Sequence, residues 1–199
     1  MQALLRARLR TARGPVRAAE GVLTALAELD ERIGEVFLDA DEIGGRVREI
    51  GAELTQHFGN REPLLVGSLK SCLPFLCDLS RAVPIHHHLD FIELAGYGEG
   101  DDGIRFLKDL NAEIEGRDVV LVDAVIDTGL TMHYLVRSMA LRNPASLQIA
   151  TLFDRPYRRL VEDLPVRYVG FTIPDEFFVG YGFELQKRYR NLPDLRLVR

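Results

Sequence analysis

Apolar residues recur along this chain with two periods, and the switch between them marks out the elements. Val22, Leu23, Leu26 and Leu29 repeat at helical spacing, and a short strand is expected at Val36-Phe37-Leu38. A stronger helix is predicted from Asp39. Ile43, Val47, Ile50, Leu54 and Phe58 line one face, Asp39 and Glu42 have capping-box spacing, and Gly59 supplies a stop. Leu64-Leu65-Val66 reads as a buried strand leading through Gly67-Ser68 to a helix from about Cys72 to Ala82. Pro74 falls in its first turn, where a missing N–H does no harm. Further apolar strands are predicted at Phe91 to Leu94, Val119 to Val122, Leu147 to Leu152 and Tyr168 to Ile173. One more helix runs from about Leu130 to Arg142, with Leu130, Tyr134, Leu135 and Met139 facing inward. Near-continuous apolar strands separated by helices predict an α/β fold whose mostly parallel central sheet is covered by helices on both faces.

Composition narrows the function. With 199 residues, 47% apolar and 28% charged, the chain is long enough for one sizeable core. Runs such as Val119 to Val122 fall far short of the roughly 20 apolar residues a membrane span needs, so no membrane partner is expected. A net charge of -5 opposes broad contact with nucleic acid, and any phosphate chemistry must come from a local site. Arg6, Arg8, Arg10, Arg13 and Arg17 occur before the first acid, which marks residues 1–33 as an Arg-rich extension and 34–199 as the compact domain. Cys72 and Cys77, five apart on a predicted helix, point in different directions and make no disulfide framework; a reducing, cytoplasmic setting is expected. His86-His87-His88 lacks a second pair at metal-ligand spacing. Gly98, Gly100 and Gly103 imitate a dinucleotide fingerprint but carry Glu99, Asp101 and Asp102 where a pyrophosphate would sit.

In parallel sheets, ligands bind beyond the carboxyl ends of the strands. The most informative such end is Val119-Val120-Leu121-Val122-Asp123-Ala124-Val125-Ile126-Asp127-Thr128-Gly129-Leu130-Thr131. A buried strand delivers a carboxylate, and a short Asp-Thr-Gly-x-Thr turn opens into a helix. Turn amides, the helix N-terminus and the hydroxyls of Thr128 and Thr131 together suit a phosphate dianion. Asp127 reads either as a helix cap or as a group that meets sugar hydroxyls or a reacting proton.

This stretch resembles the phosphoribosyl pyrophosphate-binding motif of type I phosphoribosyltransferases. Leu65-Val66-Gly67-Ser68-Leu69-Lys70, Leu89-Asp90-Phe91 with Gly96-Tyr97-Gly98, Leu107-Lys108-Asp109-Leu110 to Gly116-Arg117-Asp118, Ile173 to Gly182 and Arg188 to Pro193 are similar, in order, to hypoxanthine-guanine phosphoribosyltransferases of purine salvage. The resemblance implies a type I phosphoribosyltransferase fold with a small hood formed by the N- and C-terminal segments. It also implies a Mg2+-dependent reaction in which hypoxanthine or guanine displaces pyrophosphate from phosphoribosyl pyrophosphate to give IMP or GMP.

Residue by residue, the resemblance assigns the 5′-phosphate to Asp127, Thr128, Gly129, Leu130 and Thr131, and gives Asp127 proton transfer at the purine N7. Pyrophosphate falls to Leu69, Lys70 and Arg190, with a cis Leu69-Lys70 peptide expected. The purine falls to Arg155, Phe177, Phe178 and Glu184, the ribose and metal to Asp123, and the metal also to Glu184. Homo-oligomers are common in the family. Five positions depart from its pattern. Ala124 replaces the second of two acids, a loss of one charged hydrogen bond worth about 1.5–3 kcal/mol. Arg155 replaces a lysine, Glu184 an aspartate, and Ser71 a glycine common in relatives. Gly96 stands where a serine precedes Tyr97. These departures motivate a rival expectation, a non-catalytic sensor of phosphoribosyl pyrophosphate or nucleotide with a degenerate ribose clamp.

Overall fold

The computed structural model describes residues 31–95 and 104–199. The expected first helix, almost all of the Arg-rich extension and the segment from Gly96 to Gly103, with both its Tyr97 and its glycine patterns, lie outside the described residues.

The main sheet has six strands in the order β4-β3-β2-β5-β6-β7. They are β2 (Leu64–Ser68), β3 (His88–Ala95), β4 (Arg105–Lys108), β5 (Asp118–Ile126), β6 (Ser146–Asp154) and β7 (Val166–Thr172). All neighbours are parallel except β3 and β4. Side chains alternate across the sheet, as strand geometry requires. Leu65, Val120, Val122, Ala150 and Leu152 pack on one face beneath α1 (Ala40–Phe58) and α2 (Leu73–Ala82). Leu64, Val66, Val119, Leu121 and Ile149 pack on the other face against α3 (Leu130–Ala140). Burial on both faces explains the unbroken apolar runs, each full burial of a Val or Leu side chain contributing about 1.5–3 kcal/mol.

Helix α1 starts and stops where its sequence dictates. Glu42 N–H donates to Asp39 Oδ1 at 2.8 Å and Asp39 N–H to Glu42 Oε2 at 2.9 Å, which closes the capping box. Gly59 at φ +57° ends the helix, its N–H donating to the Thr55 carbonyl. Gly51 lets α2 approach, since a Cβ there would lie 2.5 Å from the Ala82 carbonyl oxygen. In α3 the buried residues are Met132, Leu135 and Met139, which corrects the expected inward face. Leu130 is exposed in the first turn at the sheet edge, and Tyr134 is half-buried against Phe106.

On the β3–β4 side, Asp90 anchors the loop that follows β4. Burial alone would raise its carboxyl, but the N–H groups of Ala112, Phe91 and Asn111 and the nearby Lys108 ammonium hold it below the usual carboxylate value. Strand β1 (Ile33–Leu38) leaves this body and pairs with β9 (Leu195–Val198), which in turn pairs with β8 (Phe178–Val179). This three-stranded antiparallel sheet, built from the two ends of the domain, is the hood. Strands β4, β8 and β9 were not expected from the sequence pattern.

Candidate active site

Strand β5 lies between β2 and β6, and its buried run from Val119 to Val122 delivers Asp123 to the sheet edge. There a cavity of about 240 Å3 is lined by Ser68, Ser71, Asp123, Asp127, Thr128, Gly129, Thr131 and neighbouring apolar groups. Asp123 Oδ1 accepts the Ala124 N–H at 2.8 Å and the Ser71 hydroxyl at 3.3 Å. Burial, the largest influence, pushes this carboxyl up to about 7, against the pull of the Ala124 and Val125 N–H groups and the Ser71 and Ser68 hydroxyls. Ser71, a departure from the family pattern, is thus a donor to the Asp123 carboxyl. Ala124 is fully buried.

Gly129 begins α3 at φ +81°, with no side chain capping the helix. The cap reading of Asp127 is thereby corrected: its carboxylate does not close the start of α3, whose first-turn amides suit an anion. The carboxylate of Asp127 instead turns toward Arg158, whose Nε lies 2.8 Å from Oδ1. The approach is too bent for a hydrogen bond, so the buried Oδ1 has no aligned donor. Turning this acid toward a cation also removes its conflict with a phosphate in the same turn. Leu130 takes part through its backbone, its N–H lying 3.5 Å from Thr128 Oγ1.

The cations and the hood approach from other directions. The Leu69–Lys70 peptide is cis. The Lys70 side chain is largely exposed, with Nζ 3.7 Å from Glu93. Arg190 pairs with Glu184 at 2.9 Å and donates to the Gly182 carbonyl, so these two expected site residues form one unit rather than two independent contacts. Glu184 thus has a cation partner instead of facing only solvent. Gly182, at φ +99°, is packed so closely on the loop after β2 that a Cβ would lie 2.1 Å from the Ser71 carbonyl oxygen.

Phe177 is 81% exposed and takes no part in the core, whereas Phe178 is buried against Phe37 and Phe183. Arg155 does not pair with adjacent Asp154, which is bound by Arg159. The Arg155 guanidinium is buried, sits 5.7 Å from the Phe178 ring centre and donates to the Glu176 carbonyl at 2.6 Å, leaving Nε without a partner. Among the described residues no three His, Cys, Asp or Glu side chains converge as a metal site. Asp123 and Glu184 therefore fit a cation only if ligand oxygens and water complete its shell, the habit of Mg2+.

Arg158, Asp175 and Ser68 were absent from the expected site. The basic cluster Arg155, Arg158, Arg159 after an apolar strand was the available signal for Arg158.

An open, mostly parallel sheet with a cavity where the turn after β5 opens into a helix, and a small antiparallel hood, defines a phosphoribosyltransferase domain. The phosphoribosyl transferase domain family matches residues 35–186. The hypoxanthine-guanine phosphoribosyltransferase of Bacillus subtilis is 38% identical over 170 residues, covering 84% of this chain and 94% of the relative. The crystal structure of a hypoxanthine-guanine phosphoribosyltransferase from Bacillus anthracis superposes with a TM-score of 0.80 at 36% identity, covering 84% of this chain and 99% of that one. A bifunctional TilS/HprT protein of Listeria monocytogenes is 41% identical over 170 residues, but the chain spans only 26% of its length. The chain belongs to the hypoxanthine-guanine phosphoribosyltransferase family and has the type I phosphoribosyltransferase fold.

Proposed function

We propose that this protein is a purine salvage enzyme that joins hypoxanthine or guanine to phosphoribosyl pyrophosphate, releasing pyrophosphate and forming IMP or GMP. The observation that carries this reading is the cavity at the end of β5, where the uncapped start of α3 and the hydroxyls of Thr128 and Thr131 stand beside Asp123 and Asp127. The backbone from Asp127 to Thr131, with Thr128 and Thr131 hydroxyls, holds the 5′-phosphate. Asp123 accepts hydrogen bonds from the ribose hydroxyls. A carboxyl crowded by burial gains from such donors or from a cation. Lys70, the cis peptide at Leu69 and Arg190 receive pyrophosphate. The exposed Phe177 ring stacks on the purine, the Phe178 backbone meets its edge, and Arg155 donates to the 6-oxo group. Glu184 faces the exocyclic edge.

Asp127 manages the one proton. Its carboxylate accepts a hydrogen bond from the purine N7–H and takes that proton as N9 attacks the anomeric carbon. Mg2+, held by Asp123 and Glu184 with substrate oxygens, would neutralise the leaving pyrophosphate. Purine base and phosphoribosyl pyrophosphate are the small-molecule partners, in a homo-oligomer of the cytoplasm; no helix among the described residues is long and apolar enough to cross a membrane. Nothing in the relatives or the geometry favours the non-catalytic sensor.

The test is direct. Purified protein is mixed with Mg2+, phosphoribosyl pyrophosphate and hypoxanthine, or guanine in a second series, and the purine absorbance is followed. Magnesium-dependent formation of IMP or GMP is expected. Tight binding of phosphoribosyl pyrophosphate with no turnover on either base would overturn the reading.

A further inference from the structure

The turn after β6 touches both halves of the site. Toward the phosphate turn, Arg155 N–H donates to the Ile126 carbonyl at 3.0 Å and Leu160 N–H to the Thr128 carbonyl at 2.9 Å. Toward the hood, Arg155 donates to the Glu176 carbonyl at 2.6 Å and the Tyr157 hydroxyl to the Ile173 carbonyl. Arg158 reaches in both directions at once. Its Nε lies 2.8 Å from Asp127 Oδ1 and its Nη1 donates to Asp175 Oδ1 at 2.6 Å. Asp175 precedes the exposed Phe177 ring by two residues.

We propose that Arg158 is a positioning residue that sets the span between the phosphate turn and the base platform by bridging Asp127 to Asp175. The inference rests on reading the site as one that holds a nucleotide by its two ends. A nucleoside monophosphate is a strut of limited flexibility. Once its phosphate is seated, its base engages with an effective concentration fixed by how well the protein holds the platform at the matching distance. The bridge is poorly suited to any other task. The Arg158, Asp127 and Asp175 side chains are 40%, 39% and 59% exposed, and exposed ion pairs contribute little to folding. The planar fork of arginine serves two carboxylates in different directions, whereas a lysine ammonium is a single point charge.

The test compares IMP with inorganic phosphate as ligands, by calorimetry, on the full-length protein and its Asp175→Asn, Arg158→Lys and Arg158→Gln variants. Asp175→Asn leaves the Arg158 charge beside Asp127, so inorganic phosphate affinity should hold while IMP affinity falls by up to about fivefold. Arg158→Gln should weaken IMP by about tenfold or more. Arg158→Lys should fall between wild type and Arg158→Gln, and all thermal midpoints should stay near that of wild type. Unchanged IMP affinity in Asp175→Asn overturns the span role, as does an equal loss for inorganic phosphate and IMP. A wild-type protein that neither turns over nor binds IMP rejects the functional reading itself, and the span role with it. Turnover and IMP binding in wild type with a silent Asp175→Asn variant reject the span role alone.

Discussion

The exit of β5 and the hood meet at one site but are built on opposite plans. Strand β5 is paired on both sides by parallel strands, its side chains from Val119 to Val122 are buried, and the turn it feeds is held by backbone contacts to the next strand connection. The hood has three short strands, one of only two residues, and its C-terminal strap runs through positive φ at Tyr181, Gln186, Lys187 and Tyr189. Just before β8 it carries an exposed aromatic ring, Phe177. Donors aimed at a fixed anion are most useful when they need no rearrangement, which a doubly flanked strand provides. The hood itself is well packed, with Phe178, Val179, Leu192 and Leu195 buried, whereas Phe177 is left exposed. On the proposed function, the sugar phosphate is anchored by the buried strand exit and the base is met by the exposed ring of the hood.

The comparison breaks most sharply at Asp127, the point where the stiff region meets the reacting proton. Asp127→Asn keeps the shape of the turn and removes the proton acceptor, so kcat should fall by about 100- to 10,000-fold with little change in thermal midpoint. Steady-state rates with hypoxanthine and phosphoribosyl pyrophosphate check this. An unimpaired variant would remove the acid–base role.

Asp123 tests the same region through the ribose. Loss of its charged hydrogen bonds in Asp123→Asn should lower kcat/KM for phosphoribosyl pyrophosphate by about ten- to hundredfold. Its ionisation adds a second readout. Its folded-state carboxyl is raised from 3.8 to about 7, so the stability it contributes is complete below about pH 4 and is lost as pH rises through about 7. Thermal melts of the metal-free protein should therefore decline more steeply between about pH 4 and 7 in wild type than in Asp123→Asn. Parallel melts would show that burial does not perturb this acid.

The stiff region was also the more legible one in the sequence. Helix α1 could be read with both of its ends because its cap, apolar stripe and terminal glycine are all local. The turn after β5 is contiguous in sequence, and Asp127, Thr128, Gly129 and Thr131 line one cavity. Of the hood strands, β1 was expected at Val36 to Leu38, whereas β8 and β9 were invisible, because β8 has only two residues and β9 acquires its partner β1 from the other end of the domain. The same limit hid Arg158, whose importance depends on a turn folding back on two segments distant in sequence. In α3 the apolar residues outnumber the positions that can face the sheet. Periodicity alone chose Leu130 and Tyr134 where packing chose Met132.

Gly182 probes the seam between the two regions. An alanine there must both hold φ near +99° and push against the Ser71 carbonyl, a combined strain of about 1–3 kcal/mol. Gly182→Ala should lower the thermal midpoint and displace Arg190, which donates to the Gly182 carbonyl. The expected loss in kcat/KM for phosphoribosyl pyrophosphate is about tenfold. A variant with wild-type stability would show that the strap yields without leaving the β2 loop.

Phe177 gives the smallest effect and isolates the hood side. Its ring is 81% exposed, so truncation removes almost no packing from the free protein, and surface changes of this kind shift stability by no more than about 0.5 kcal/mol. Stacking on a bound purine is worth about 0.5–1.5 kcal/mol, which predicts a two- to twelvefold rise in KM for hypoxanthine in Phe177→Ala. KM for phosphoribosyl pyrophosphate should stay put, because the sugar phosphate is anchored at the β5 exit. A joint rise in both constants would mean that the ring supports the cleft as a whole, and the division of labour between a buried anchor and an exposed platform would fail at the residue where it ought to be cleanest.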